Sequence, residues 1–326
     1  MINSKINLQY TTFATPLPDF IFEGLKEYSR HANGYQPQPA ELIEKLARKY
    51  NLPKETLYLT AGADEAILAF ALAFGQKTYI FTPTYLVYDE AKNFHANILA
   101  INALQDKNYI VPTEKIADAT LIYLANPNNP CGYTTREKVL ELIKNNPQAI
   151  IVIDEVYAEF ADLTVINDVQ KYPNLAVLRS FSKSYGMAGN RIGFIIANPE
   201  IISKVRVKTQ WANVSYLSVG AAMAALNHEE YFGKLRADVI ERREAFFTFL
   251  QQQKFTALPS QINCALIRFN TEEEGIRFTK HLTDNNFIVN NGNGNSNTGL
   301  DLSFVRISIG SKEEMEKLKQ VIEKYQ

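Results

Sequence analysis

Short apolar runs alternate with stretches of helical periodicity over much of the chain, up to about residue 226. The apolar runs are rich in β-branched residues and predict strands at 78–82, 96–102, 119–125, 149–154, 174–180 and 191–197. Helical spacing predicts helices at 40–50, 64–74 and 136–145. Because the runs are almost continuously apolar, the strands should be covered on both faces, as in a mainly parallel sheet. The pattern therefore predicts an α/β fold whose large domain has three layers, α/β/α.

The pattern changes after residue 226. A long charged helix at 231–253, a strand at 263–269 and a helix near 272–284 are followed by a Gly/Asn-rich stretch at 290–299, which we expect to be a flexible connection. A strand at 303–309 and a helix at 311–325 complete the chain. We predict a large domain at 30–226 and a smaller α+β domain formed by 1–29 and 227–326, with the ligand site in the cleft between them.

Charge and length narrow the possible classes of protein. The 326 residues suit about two domains. The 34 Lys+Arg and 35 Asp+Glu give a formal net charge of −1. A nucleic-acid-binding protein usually carries a basic excess or stripe that neutralises phosphates, so we expect no nucleic-acid partner.

The cysteines and the amino-terminal segment bear on location. Cys131 and Cys264 lie far apart in different contexts, which favours a reducing compartment over a disulfide scaffold. The segment MINSKINLQYTT lacks the apolar core of a signal peptide, and no stretch approaches the ~18 uninterrupted apolar residues of a membrane helix. We therefore expect a cytoplasmic protein with no membrane partner.

Lys183 and Arg191 stand out in the stretch SFSKSYGMAGNRIGF at 180–194. The lysine lies between two serines, shortly after the apolar run at 174–180. Desolvation and a neighbouring cation lower the pKa of a lysine and free its amine as a nucleophile, as a Schiff-base lysine requires. On this stretch alone, a solvated surface lysine is the alternative.

Polar residues also follow two other predicted strands. Asp154 ends the run AIIVID, with Tyr157 three residues later, and Asn129 lies in the turn YLANPNNPCG at 123–132. In open α/β sheets, ligands bind beyond the carboxyl ends of the strands, so these side chains are candidate ligand contacts. A helix cap at Asp154 and simple turn chemistry at Asn129 are the alternatives.

A helix that begins after Gly62, in LTAGADEAILAF at 59–70, is a candidate phosphate site. A helix amino terminus presents free N–H groups and a partial positive charge of roughly +0.5. Tyr85, in TPTYLVY at 82–88, lies at a strand-to-helix junction where an aromatic ring could cover a planar ligand.

Taken together and in this order, the motifs resemble the class I/II aminotransferases, which are pyridoxal 5′-phosphate (PLP) enzymes of fold type I. Within this family, the sequence is most similar to the branch of the histidinol-phosphate aminotransferases. The resemblance runs from about Tyr35 to Arg306, and the motifs DEVY and SFSK are its most specific part. It implies a homodimeric aminotransferase that exchanges an amino group between an amino acid, or a histidinol-phosphate-like amine, and a 2-oxo acid by a ping-pong mechanism.

The resemblance also implies roles at the cofactor ring. Lys183 matches the lysine that is joined to the cofactor aldehyde and that moves the proton between Cα and C4′. Asp154 matches the carboxylate that keeps the pyridinium nitrogen protonated, which makes the ring an electron sink. Asn129 and Tyr157 match the donors to the 3′-oxygen, and Tyr85 matches the residue stacked on the ring.

A second set of roles concerns the phosphate and the substrate. The residues that match the cofactor-phosphate site are Gly62, Ala63, Asp64, Ser180, Ser182 and Arg191, with Tyr35 reaching the cofactor phosphate of the neighbouring subunit. Arg306, in FVRISIG, matches the arginine that binds the substrate α-carboxylate or, in the histidinol-phosphate branch, serves a substrate without one.

The chain departs from the family pattern at two places. Cys131 stands where the family has threonine. Asn290 and Asn291 lie near the position at which histidinol-phosphate enzymes carry an arginine for the substrate phosphate.

The sequence lacks the motifs of several other enzyme classes. The histidines are scattered and lack the spacing of a zinc helix motif, so we expect no metal, and a Gly-x-Ser-x-Gly elbow and a Walker sequence are both absent from the sequence. A PLP-dependent decarboxylase, similar to the threonine-phosphate decarboxylases, or a β-lyase would use the same lysine and aspartate and stays open. A catalytically silent PLP-binding protein is the alternative from another class.

Overall fold

The structure is a computed structural model, and it describes residues 5–94, 96–292 and 298–325. The strands are β1 (Ile6–Asn7), β2 (Leu57–Thr60), β3 (Thr78–Thr82), β4 (Ile98–Asn102), β5 (Leu104–Gln105), β6 (Asn108–Tyr109), β7 (Leu121–Ala125), β8 (Ile150–Asp154), β9 (Leu175–Ser180), β10 (Gly193–Ala197), β11 (Thr256–Leu258), β12 (Cys264–Arg268), β13 (Phe287–Ile288), β14 (Asn290–Asn291) and β15 (Phe304–Ser308). The helices are α1 (Asp19–Ser29), α2 (Ala40–Tyr50), α3 (Gly62–Phe74), α4 (Val87–Glu90), α5 (Arg136–Asn145), α6 (Pro199–Arg206), α7 (Tyr216–Asn227), α8 (Glu229–Gln252), α9 (Glu272–Asp284) and α10 (Lys312–Glu323).

The largest sheet has seven strands in the order β2-β10-β9-β8-β7-β3-β4. The pairs from β9 through β8, β7 and β3 to β4 are parallel. Strand β10 is antiparallel to both of its neighbours. The predicted mainly parallel sheet is confirmed.

Alternate residues of the central strands belong to different hydrophobic clusters. In β7, Ile122 and Leu124 join the cluster that contains residues of α2, α5 and α7, whereas Leu121 and Tyr123 join the cluster that contains residues of α3 and α6. Successive side chains of a strand point to opposite faces, so helices cover both faces of the sheet. This confirms the α/β/α layers and explains the near-continuous hydrophobicity of the strands.

A second sheet, in the order β11-β12-β15-β14, packs with α8, α9 and α10 around its own cluster, which includes Leu250, Phe278 and Leu318. The amino-terminal segment contacts both units, because Leu8 joins this second cluster while α1 packs along α7. The domain boundaries at residues 29 and 226 stay a prediction. Among the helices of the described ranges, none is both long and apolar enough to cross a membrane.

The segment at 290–299 differs from the expected flexible connection. Asn290 and Asn291 form β14 and pair with Arg306 and Val305 of β15. Asparagine is rare in strands, so composition alone favoured a loop, but the register on β15 decides the structure. Thr298 forms a β-bridge with Thr84. Residues 293–297 lie outside the described residues.

Candidate active site

The carboxyl ends of the parallel strands bring the predicted site residues to one edge of the large sheet. Asp154 is the last residue of β8 and Ser180 the last residue of β9, while Asn129 follows β7. Because β10 runs in the opposite direction, its start lies at this same edge, and Arg191 comes two residues before that start. Arg191 has a φ of 48°, in the left-handed region, which is why β10 begins at Gly193 and not at 191 as predicted.

One cleft of about 590 Å³, including its solvent-open mouth, lies at this edge. Its walls come from the ends of β7, β8 and β9, the start of α3 and the segment around Tyr85. The lining residues are Ala63, Asp64, Tyr85, Tyr88, Ala125, Asn129, Asp154, Val156, Tyr157, Ser180, Ser182, Lys183, Ala188 and Arg191. The cleft therefore brings together ten of the thirteen predicted site residues, and Gly62, Arg306 and Tyr35 are not in its lining.

Asp154 is a buried carboxylate at the floor of the cleft, only 6% exposed. Its Oδ2 accepts a hydrogen bond from the Tyr88 hydroxyl at 2.6 Å, and its Oδ1 accepts one from the Val156 N–H at 3.0 Å. Desolvation by burial outweighs these hydrogen bonds and raises the pKa of Asp154 to about 6. A cation placed against this carboxylate would reverse the effect of burial and favour the ionised form.

The raised pKa of Asp154 predicts a pH-dependent stability of the cofactor-free protein. The folded state binds the Asp154 proton more tightly than the unfolded state, whose aspartate pKa is about 3.9. The stabilisation is thus fully present below about pH 4 and is lost as the pH rises through about 6. Relative to Asp154→Asn, the free energy of unfolding of the wild type should fall by about 2 kcal/mol between about pH 4 and about pH 7.

Urea unfolding of the two cofactor-free proteins over this pH range measures the difference. Parallel curves for the wild type and Asp154→Asn would show that Asp154 titrates normally in the folded protein.

Lys183 and Tyr157 meet at the hydroxyl of Thr11. The Lys183 Nζ donates to Thr11 Oγ1 at 2.7 Å, and this oxygen is 2.5 Å from the Tyr157 hydroxyl. Desolvation, with Arg306 as the next cause, lowers the pKa of Lys183 to about 8. Desolvation also raises the pKa of Tyr157, which keeps the phenol neutral and able to donate a hydrogen bond.

Arg306 lies beside the cleft, behind Asn129. It is 2% exposed, its Nη1 donates to Asn129 Oδ1 at 2.8 Å, and its Nη2 donates to the Gln9 carbonyl at 2.7 Å. Arg306 and Asn290 are directly opposite each other on neighbouring strands. A buried cation is thereby fixed against the amide that lines the cleft.

Arg191 and the start of α3 form the opposite end of the cleft. The Arg191 Nη2 donates to Asp64 Oδ2 at 2.8 Å, and the Tyr85 hydroxyl donates to Asp64 Oδ1 at 3.0 Å. Gly62 has a φ of +81°, and a Cβ at this position would lie 2.6 Å from Arg191 Nη2. Glycine is therefore required for the close approach of the guanidinium to the helix start.

Two serines complete this end of the cleft. The Ser180 hydroxyl donates to Ser182 Oγ at 2.9 Å, and the Ser182 N–H donates to Ser180 Oγ at 3.1 Å. Together with Arg191 and the free N–H groups at the start of α3, they form a donor-rich pocket of the kind that holds phosphate.

Tyr35, the predicted contact to a neighbouring subunit, is not in the cleft lining. It is 80% exposed, and its ring centroid lies 5.5 Å from that of Trp211, which is 67% exposed.

Five residues of the site were not predicted from the sequence, and two of these are the small side chains Ala125 and Ala188. Tyr88 lies within the quoted stretch TPTYLVY, three residues after Tyr85, a helical spacing that could have indicated it. Val156 lies between the two predicted residues Asp154 and Tyr157. Thr11 lies far away in the amino-terminal segment, and no sequence signal connects it to the site.

Residues 4–322 match the family model for aminotransferase class I and II. The chain belongs to this family. The match confirms the predicted class I/II aminotransferase, and PLP as its cofactor.

Cys131, which stands where the family has threonine, is buried. Burial raises the pKa of its thiol to about 12, so it is a neutral side chain in the turn beside Asn129.

Similar proteins of this family include a histidinol-phosphate aminotransferase of Geotalea daltonii, 31% identical over 90% of this chain and 83% of the relative. Among solved structures, an L-threonine-O-3-phosphate decarboxylase of Porphyromonas gingivalis is 26% identical with a TM-score of 0.86, covering 98% of this chain and 99% of that one. A histidinol-phosphate aminotransferase of Sinorhizobium meliloti, solved in complex with pyridoxal-5′-phosphate, has a TM-score of 0.87 at 20% identity, over 98% of this chain and 91% of that one. At 20% identity, the similarity to the Sinorhizobium meliloti structure shows only that the two chains share a fold.

Proposed function

We propose that this aminotransferase binds PLP in the cleft at the sheet edge and uses Lys183 and Asp154 to transfer an amino group between an amino acid and a 2-oxo acid. One observation carries the proposal: Lys183, Asp154 and Asn129 come from three different segments and line the same cleft. The assignment of roles follows the family resemblance and the contacts of each side chain.

The cleft fits the cofactor in charge and shape. Asp154 offers a buried carboxylate without a basic partner among its hydrogen bonds in the described residues, which suits a protonated ring nitrogen. Tyr85 and Val156, both in the lining, are the residues proposed to cover the two ring faces. The Arg191 end supplies donors for the phosphate, which would share the guanidinium with Asp64.

The residues of this chain then have distinct tasks. When bound, the cofactor supplies an electron sink for negative charge at the substrate Cα. Lys183 supplies the amine that is joined to the cofactor aldehyde, and after release it moves a proton. Asp154 holds a proton on the ring nitrogen, and Asn129 and Tyr157 hold the 3′-oxygen by hydrogen bonds. The raised pKa of Tyr157 keeps its proton available for this contact.

Arg306 is proposed to hold the substrate α-carboxylate. Its guanidinium is held by Asn129, which borders the cleft, so a carboxylate bound there would lie close to Lys183. The Nη2 atom already donates to the Gln9 carbonyl, so the substrate would share or replace that contact. A planar guanidinium binds a carboxylate through two parallel hydrogen bonds, which an ammonium group cannot reproduce.

Arg306→Lys should raise the KM for α-carboxylate substrates by about 10- to 100-fold, because a charge-assisted hydrogen bond contributes about 1.5–3 kcal/mol. The change in kcat should be smaller. Steady-state kinetics with an amino acid measures this, and an amine without an α-carboxylate serves as the control substrate. An unchanged KM for the amino acid would place its carboxylate elsewhere.

The amino donor is proposed to be an amino acid or a histidinol-phosphate-like amine. The relatives named as histidinol-phosphate aminotransferases favour the latter. Asn290, a neutral side chain opposite Arg306, favours a donor without a phosphate at this position.

Half-reactions of the purified enzyme with a panel of amino acids and histidinol phosphate test the proposed function, followed through the cofactor absorbance. Conversion to the pyridoxamine form by at least one donor is the expected result. Failure of every donor in the panel to convert the cofactor would contradict it.

A decarboxylase is the second candidate, since the Porphyromonas gingivalis structure is similar over almost the whole of both chains. The same panel, extended to threonine phosphate, separates the two reactions. Release of carbon dioxide with the cofactor unchanged would favour decarboxylation over transamination.

The proposal includes a homodimer in the cytoplasm. Tyr35 and Trp211 expose neighbouring aromatic rings, which suits a contact with a second copy. Both cysteines are buried free thiols, which is consistent with a reducing compartment. Light scattering of the purified protein measures the oligomeric state, and a monomeric enzyme with full activity would contradict the role of Tyr35.

A further inference from the structure

Thr11 occupies a central position between the two residues proposed to act on the proton and the 3′-oxygen. Its hydroxyl oxygen lies 2.7 Å from the Lys183 Nζ and 2.5 Å from the Tyr157 hydroxyl. The residue is 3% exposed, so water does not compete freely for these contacts. Neither the sequence motifs nor the family match assigns it a role.

The segment that carries Thr11 is fixed on both sides. Leu8 is buried in the second hydrophobic cluster, and its carbonyl accepts a hydrogen bond from the Ser308 N–H at 2.9 Å. The carbonyl of Gln9 accepts a hydrogen bond from Arg306. Thr11 is therefore presented to Lys183 by a backbone that is anchored to β15, next to the proposed carboxylate site.

The chemistry of the three groups fixes the direction of the hydrogen bond from Lys183 and allows two directions for the one between Thr11 and Tyr157. A lysine ammonium has only donors, so the Thr11 oxygen accepts from it. The hydroxyl proton of Thr11 can then point to the Tyr157 oxygen, or the Tyr157 hydroxyl can donate to the second lone pair of Thr11. In both arrangements one hydroxyl joins Lys183 to Tyr157.

We infer that Thr11 is a positioning residue that holds the amine of Lys183 whenever this amine is not joined to the cofactor. The inference rests on the proposed function, in which each half-reaction releases the lysine and then needs its amine to move a proton. A lysine side chain has up to about 2 kcal/mol of rotamer freedom to lose, and a released amine without a fixed acceptor would sample many positions. The Tyr157 ring, whose centroid lies 5.6 Å from Nζ, restricts it further.

Three variants test the role of the hydroxyl. Thr11→Val removes it with almost no change in shape, and Thr11→Ser restores it. Thr12→Val is the matched control, because the neighbouring Thr12 hydroxyl contacts the Tyr10 carbonyl at 3.5 Å and lies outside the cleft lining. Thr11→Ala is a second variant without the hydroxyl, for use if the valine does not fold.

The first readout uses the cofactor-free protein. The rate at which an amine-reactive reagent modifies Lys183 is followed by peptide mass spectrometry as a function of pH. An acceptor for the ammonium favours the charged form, so its loss in Thr11→Val should move the labelling midpoint to lower pH. Thr11→Ser and Thr12→Val should keep the midpoint of the wild type.

The second readout uses the PLP-loaded enzyme and one responding amino acid. Thr11→Val should lower the rate of the half-reaction by about tenfold or more, with little change in the substrate concentration that gives half the maximal rate. Deuterium at the substrate Cα should slow Thr11→Val more than the wild type, because proton transfer becomes the limiting step. Thr11→Ser should recover most of the rate.

A purely structural role would give a different result. Equal losses in Thr11→Val, Thr11→Ser and Thr12→Val, or a Thr11→Val enzyme with the labelling midpoint and the rate of the wild type, would overturn the inference. Failure of the proposed function is distinguishable, because the wild type would then convert no donor, while the labelling midpoint would still report on the contact between Thr11 and Lys183.

Discussion

Lys183→Ala is expected to abolish the covalent attachment of PLP and to lower turnover by about four orders of magnitude or more. The variant loses the amine that we propose as both the nucleophile and the group that moves the proton, and proton transfer alone contributes about 10²- to 10⁴-fold. Borohydride reduction followed by peptide mass spectrometry should show the cofactor on residue 183 of the wild type and on no residue of the variant.

Lys49→Ala is a suitable control for this experiment. Lys49 is another partly buried lysine near an aromatic ring, 5.4 Å from the Tyr185 ring centroid, and it pairs with Glu229 at 2.6 Å, outside the cleft lining. It should keep the reducible linkage and its position at residue 183. A fully active Lys183→Ala enzyme, or a linkage found at another lysine in the wild type, would contradict the assignment.

The surroundings of Lys183 explain why it is suited to this role. Desolvation and Arg306 lower its pKa to about 8. At neutral pH, the share of free amine rises from about 0.03% for an ordinary lysine to about 9%. Burial and the neighbouring Arg306 therefore increase the free-amine form of this proposed nucleophile by about 300-fold.

Much of the cleft could be predicted from local patterns in the sequence. The strands β7, β8 and β9 are largely apolar runs, and polar residues end them or follow them closely. Parallel strands place such ends at one edge, so Asp154, Asn129 and Ser180 could be placed together without knowing the packing of any side chain. The order of motifs then sufficed to indicate the cofactor.

The rest depends on contacts between distant segments. Thr11 is 172 residues from Lys183 in the sequence, and only the packing of the amino-terminal segment on β15 brings the two together. Asn290 shows the same limit, since an Asn/Gly-rich stretch predicts a loop and the pairing with Arg306 makes it a strand. Such pairing is determined by neighbouring strands and not by the propensity of the residues.

Asp154→Ala is the second variant with a large expected effect. The cofactor should still bind through Lys183 and the Arg191 end of the cleft, but turnover should fall by about a thousandfold, because the ring nitrogen loses the carboxylate that we propose keeps it protonated. The Tyr88 hydroxyl, which donates to Asp154 at 2.6 Å, is a neutral group and would not replace the negative charge of the carboxylate. Single-turnover half-reactions with one responding amino acid measure the loss separately from cofactor binding, which is followed by absorbance.

A cofactor analogue that is methylated on the ring nitrogen separates the charge from the other effects of this substitution. The methyl group gives the ring a permanent positive charge, and the space left by the Asp154 side chain can receive it. If the carboxylate acts by maintaining this charge, the analogue should restore a large part of the half-reaction rate in Asp154→Ala but not improve the wild type. A variant that is as fast as the wild type with ordinary PLP would show that the charge is not needed, and one that the analogue fails to rescue would assign Asp154 to positioning of the ring instead.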